Sequence, residues 1–143
     1  MNIVIASDHA GFDLKKHLIE IFNKENIQFS DLGCTSSDEA VDYPDYANIL
    51  AEKLKNNTEC FGILICGSGV GISIAANRHK HIRAALCFDT NIAMLARLHN
   101  NANVLCLGAR VIDFTYAAEI VKIFLSTKFE GKRHEKRVSK LSN

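Results

Sequence analysis

The apolar residues of this chain repeat with two periods in alternation, and that pattern limits its fold more than any other feature. Strand-like apolar stretches lie at about 2–6, 27–32, 61–66, 82–87 and 103–107. Between them the spacing lengthens to that of a helix. Leu14, Leu18, Ile21 and Phe22 form one stripe, and Ala47, Leu50, Ala51 and Leu54 form a second after Pro44. A third helix starts near Gly71, a fourth carries Ile92, Leu95 and Leu98, and a fifth carries Phe114, Ala117, Val121, Phe124 and Leu125. Strands that alternate with helices build a mostly parallel sheet, because each helix returns the chain to the starting edge and covers a face. The expected fold is therefore a single-domain, three-layer α/β/α sandwich of Rossmann-like type. It has a five-stranded, mostly parallel sheet and a basic, helical C-terminal tail.

A length of 143 residues with 48% hydrophobic content suits one packed core. With a single proline, no repeat and no low-complexity segment, residues 1–143 read as one domain. No apolar run approaches the ~20 residues that span a bilayer, and the chain opens on the strand-like Asn2-Ile3-Val4-Ile5-Ala6 rather than a signal peptide. A cytoplasmic protein without a membrane partner is expected. The five cysteines are odd in number and none shows C-x-x-C spacing, which argues against a disulfide framework and a zinc site. Most of them read as small buried hydrophobes.

The net charge of +1 conceals a basic tail, since residues 128–143 hold six Lys/Arg against two Glu. Such a tail is either a solvated helix or an anion site. Nucleic acid is a poor partner for it, because the patch is small, lacks interleaved aromatics and belongs to a chain of pI about 7.7. Within the tail, Arg133 and Arg137 are four apart and share a helical face, with His134 beside them. Paired guanidinium groups suit a phosphate dianion.

In open α/β sheets ligands lie off the carboxyl ends of the strands. Ser7-Asp8-His9-Ala10-Gly11 follows the first strand, Cys66-Gly67-Ser68-Gly69-Val70-Gly71 the third, and Gly108-Ala109-Arg110 the fifth. Asp8, His9, Cys66, Ser68 and Arg110 should then meet on one edge. Gly67, Gly69 and Gly71 let backbone N–H groups turn inward at a helix start, which makes an anion cradle; the plainer reading is a tight turn needing positive φ. The G-x-G-x-G spacing after the third strand is neither a dinucleotide fingerprint nor a P-loop, so no cofactor is expected. Cys66 meets the cradle where a helix N-terminus favours the thiolate, as base or nucleophile. Ser68 either caps the helix or relays a proton. Taken alone, His99 reads as a histidine at a helix C-terminus. His17, His79 and His81 read as surface residues without partners.

In combination and order these segments resemble the type B ribose-5-phosphate isomerases, within a wider family that includes galactose-6-phosphate and allose-6-phosphate isomerases. The marks are Ser7 to Gly11, Asp42-Tyr43-Pro44, Cys66 to Gly71 through Ala76-Asn77-Arg78, Arg97-Leu98-His99-Asn100, Leu107-Gly108-Ala109-Arg110, and Glu130-Gly131-Lys132-Arg133-His134 with Arg137. They cover nearly the whole chain. The resemblance implies an aldose–ketose isomerase without metal or cofactor, acting on a small sugar phosphate. Ribose 5-phosphate and ribulose 5-phosphate would be its substrates, with a hexose phosphate as the alternative. A phosphate- or nucleotide-binding sensor is the alternative of another class.

The resemblance also implies the roles of residues. Cys66 would be the base that moves a proton between C2 and C1, and His99 the acid that opens the furanose ring. Asp8 and His9 would hold the sugar and phosphate end, with Tyr43 and His134 also at the substrate. Gly67, Ser68, Gly69, Val70 and Gly71 would surround the enediolate, with Asn100 contacting the same region. Arg110, Arg133 and Arg137 would bind phosphate, the last two reaching in from the other subunit of a homodimer; a tetramer is also open. Ser68 stands where many members have threonine and keeps the hydroxyl, and Cys66 places the chain with the cysteine type. Independently of the resemblance, a hydride shift would need metal-binding carboxylates, and the strand ends offer only Asp8, His9 and Asp42.

Overall fold

The computed structural model describes residues 2–57 and 59–141. Five strands, β1 (Asn2–Ser7), β2 (Phe29–Asp31), β3 (Cys60–Cys66), β4 (Ala84–Leu86) and β5 (Val104–Gly108), lie in the order β2-β1-β3-β5-β4. Every pairing is parallel. The helices are α1 (Phe12–Lys24), α2 (Tyr43–Leu54), α3 (Val70–Ala76), α4 (Thr90–Asn100), α5 (Phe114–Ser126) and a short α6 (Glu135–Val138). Helices α1, α4 and α5 pack their apolar stripes on one face of the sheet. Helices α2 and α3 cover the other. Ile63, Leu64 and Ile65 of β3 are fully buried, which is why this strand reads as an unbroken apolar run.

Two outlines differ from expectation. β2 and β4 are three-residue strands at the two edges, shorter than the apolar stretches around them, since an edge strand has a neighbour on one side only. The tail is not one helix: Gly131, at φ +70, turns the chain into a 3-10 segment over Lys132–His134, and four residues of α6 follow. The three histidines expected to lack partners have them. His79 Nε2 lies 2.8 Å from Asn48 Oδ1, His81 Nε2 donates to Ala51 O at 2.8 Å, and the His17 ring packs on Phe114. These contacts join residues far apart in sequence, beyond the reach of local pattern.

Because helices run antiparallel to the strands they connect, each crossover helix carries the chain from the C-terminal edge of the sheet back to its N-terminal edge. Helix carbonyls therefore gather at the N-terminal edge, and cations meet them there. Arg97 donates through Nε to Thr127 O (3.3 Å) and through Nη1 to Asn101 Oδ1 (3.0 Å), while Arg83 Nε donates to Asn101 O at 2.8 Å. Among the described residues no helix is long and apolar enough to cross a membrane.

Candidate active site

The ends of β1, β3 and β5 are stitched together by main chain. Asp8 N–H donates to Ile65 O (3.1 Å), Ala109 N–H to Cys66 O (2.9 Å) and Arg110 N–H to Gly67 O (2.9 Å). Gly11 lets the first loop seat on β3, since a Cβ there would fall 2.6 Å from Ile65 O. Asp8, itself buried, fixes the same loop by accepting the Gly11 N–H at 3.0 Å. The five residues expected on this edge are thus brought together.

Cys66 ends β3, buried, and its Sγ accepts the Gly69 N–H at 3.1 Å. A charged sulfur takes such a bond more strongly than a neutral one. Burial pushes the Cys87 thiol up to about 12 and the Cys106 thiol well above the ordinary range, so both stay neutral. Gly69 sits at φ +79 with Leu86 Cδ1 only 2.5 Å from where a Cβ would be, so the turn demands glycine. The turn and the cradle are therefore one feature. Ser68 is exposed and its Oγ accepts the Val70 N–H at 3.2 Å, a capping contact that leaves the hydroxyl proton free.

Around this centre, the Tyr43 ring lies against Gly71 and the Arg110 guanidinium lies over Gly67. His9 Nδ1 lies 3.1 Å from Val41 N and 3.3 Å from Val41 O, so the Val41 backbone orients the ring. Beneath the site, the buried Lys15 ammonium donates to both Asp31 oxygens and to Cys34 O, each at 2.7 Å, and holds the segment that pairs with Ser7. Sequence reasoning passed over Val41 and Lys15. Neither side chain stands in a motif: Val41 acts through its own backbone, and Lys15 through the Asp31 carboxylate and the Cys34 carbonyl.

The remaining expected residues lie elsewhere. His99 and Asn100 end α4 at the N-terminal edge, separated from Cys66 by the length of the central strands, roughly 15–20 Å. Within one chain, Asn100 therefore does not meet the Gly67–Gly71 loop, and His99 does not meet Cys66. The tail joins them instead: Glu130 N–H donates to Leu98 O at 3.1 Å. His134, buried, stacks on His99 with ring centroids 4.4 Å apart and planes 13° from parallel.

Burial foremost, then the charges of His99 and Arg133, holds His134 below the usual histidine range, against the pull of Glu130. Its Nε2 accepts from Arg133 Nε at 3.3 Å and stands 3.7 Å from Glu130 Oε2. Ligand atoms of His99, Glu130 and His134 all lie within 4.8 Å of one another, the geometry of a candidate ion site. Arg133 and Arg137 are exposed beside this cluster. Asn100 lines a concavity of about 590 Å³ with Arg78, Arg83 and Leu141. One edge thus offers a cysteine with amide donors, and the other offers imidazoles and guanidinium groups.

The chain matches the family model described as Ribose/Galactose Isomerase over residues 3–141. It is 49% identical over 139 residues to the probable ribose-5-phosphate isomerase B of Mycoplasma pneumoniae, spanning 97% of this chain and 91% of that protein. A crystal structure of a ribose 5-phosphate isomerase from Thermotoga maritima superposes with a TM-score of 0.95 at 50% identity, covering 99% of this chain and 97% of that one. A Mycoplasma genitalium ribose-5-phosphate isomerase B with bound ribulose-5-phosphate superposes with a TM-score of 0.94 at 46% identity, covering 99% and 93%.

Proposed function

Because the chain belongs to the ribose/galactose isomerase family, we propose that it interconverts D-ribose 5-phosphate and D-ribulose 5-phosphate through an enediolate, with Cys66 as the base. The observation that carries this reading is the Cys66 sulfur at the end of β3, held by the Gly69 amide at the mouth of a glycine cradle. Removing the proton beside a carbonyl leaves negative charge on oxygen, and fixed donors at that oxygen lower the barrier by several kcal/mol. The Ser68 hydroxyl, with its proton free, can pass that proton between neighbouring substrate oxygens. His9, its ring oriented by the Val41 backbone, and Asp8 hold the sugar, and Arg110 meets the phosphate.

Ring opening needs an acid, and His99 takes that role from a second copy of the chain. In support of a shared site, His99, Asn100, Arg133, His134 and Arg137 sit together at the edge that their own Cys66 does not occupy. A two-fold dimer makes every such contact twice, so each Cys66 edge receives one such cluster.

The test is a chelator-treated assay with ribose 5-phosphate, allose 6-phosphate and galactose 6-phosphate side by side. Ribose 5-phosphate should give the highest kcat/KM, with activity surviving chelation and deuterium from heavy water entering C1 of the ketose. A preference for either hexose phosphate, or loss of activity on chelation, would overturn the reading.

A further inference from the structure

We propose that His99, Glu130 and His134 form a binding site for a first-row divalent cation, Zn²⁺ above all, and that an ion held there takes His99 out of the reaction. Two imidazoles and one carboxylate are a common three-residue zinc set, with the fourth position left to water. The three residues come from two segments pinned by the Leu98 O to Glu130 N–H bond, and the turn at Gly131 folds His134 back onto His99. The donors are thus gathered before any ion arrives.

Local chemistry favours an ion between them. Arg133 donates to His134 Nε2, so that nitrogen carries a lone pair that an ion can take over from Arg133, with a carboxylate oxygen 3.7 Å away to complete the pair of donors. Metal–ligand bonds of about 2.0–2.1 Å put tetrahedral donors roughly 3.4 Å apart, close to the 3.7 Å separation of Glu130 and His134. The near-parallel stacking of the rings means that one must tilt for both lone pairs to meet on the ion. The half-buried His99, at the last turn of α4, has room to do so. Arg133, exposed, swings away as its place at Nε2 is taken.

The ion inhibits and is no part of turnover. The inhibition arm rests on the isomerase reading, whereas the binding arm does not. Metal-free protein is dialysed against Zn²⁺, and Co²⁺ serves as the spectroscopic probe. Wild type should take one ion per chain and give the intense visible bands of four-coordinate Co²⁺. Glu130→Gln should bind at least ~10-fold more weakly, and Cys66→Ala should bind as wild type does. Zn²⁺ should inhibit wild-type turnover, with recovery on chelation. Glu130→Gln, with normal metal-free turnover, should resist it.

Binding equal in wild type and Glu130→Gln, or binding lost in Cys66→Ala, would overturn the site. Stoichiometric binding that depends on Glu130 yet leaves turnover untouched would uphold the site and overturn its effect on His99.

Discussion

At the Cys66 edge, three loops leave adjacent strands and are bonded to one another through main chain, so Asp8, Cys66 and Arg110 inherit the rigidity of the sheet. At the His99 edge, a tail that has left the sheet is held by one backbone bond to Leu98, by Arg97 at Thr127 and by stacked imidazoles. The difference matches the tasks assigned to the two edges. A base that moves a proton over a fraction of an ångström must be fixed, whereas groups that bind phosphate and admit substrate must be able to close over it. The same chain makes both kinds of surface, and the shared site proposed above opposes them through a second copy.

The largest effect is expected at Cys66. Cys66→Ala should fold normally, since alanine fits where a buried thiol sat, and should lose about 10²- to 10⁴-fold in kcat, the range for a positioned base. Thermal melting and steady-state kinetics check both parts. Near-normal turnover would move the base elsewhere.

Much of the Cys66 edge was legible because its signals are local. Each motif directly follows an apolar strand, and parallel strands deliver such segments to one edge whatever the side chains do. Gly69 and Gly71 stand in a run that only a turn against another element explains. The other edge was legible in part. A helix that precedes a strand must end at that strand's N-terminal edge, so the order of elements already places His99 and Asn100 away from Cys66. What no local pattern carries is the contact of Glu130 with Leu98, or of His9 with a backbone amide 32 residues away. Those depend on where loops settle once the core has formed. The short β2 and β4 are likewise tertiary outcomes, since each lies at an edge of the sheet and pairs on one side only.

Arg110 belongs to the rigid edge yet is assigned to phosphate, so it tests whether rigidity and anion binding go together. Its backbone is bonded to Gly67 O and its guanidinium lies over Gly67, which fixes the fork before substrate arrives. A charged hydrogen bond of roughly 1.5–3 kcal/mol corresponds to about a 10- to 150-fold rise in KM for Arg110→Ala, with kcat little changed if ground and transition states use the contact alike. Competition by inorganic phosphate should weaken in parallel. An unchanged KM would remove Arg110 from the site and leave phosphate to the tail alone.

The smallest effect expected, a fourfold shortfall from wild type, bears most directly on the two edges. Cys66→Ala and His99→Ala chains, each nearly inactive, are unfolded and refolded together. In a mixed dimer with shared sites, one site combines the altered Cys66 edge with the altered His99 edge and is dead. The other combines two intact edges and is fully active. Random pairing makes about half of the dimers mixed, so about a quarter of all sites should regain wild-type turnover. If His99 served the Cys66 of its own chain, every site would keep one defect and the mixture would be no better than its parents. Native mass spectrometry establishes that mixed dimers form, so an inactive mixture containing them would show that each chain completes its own site, against the separation of the two edges by the length of the central strands.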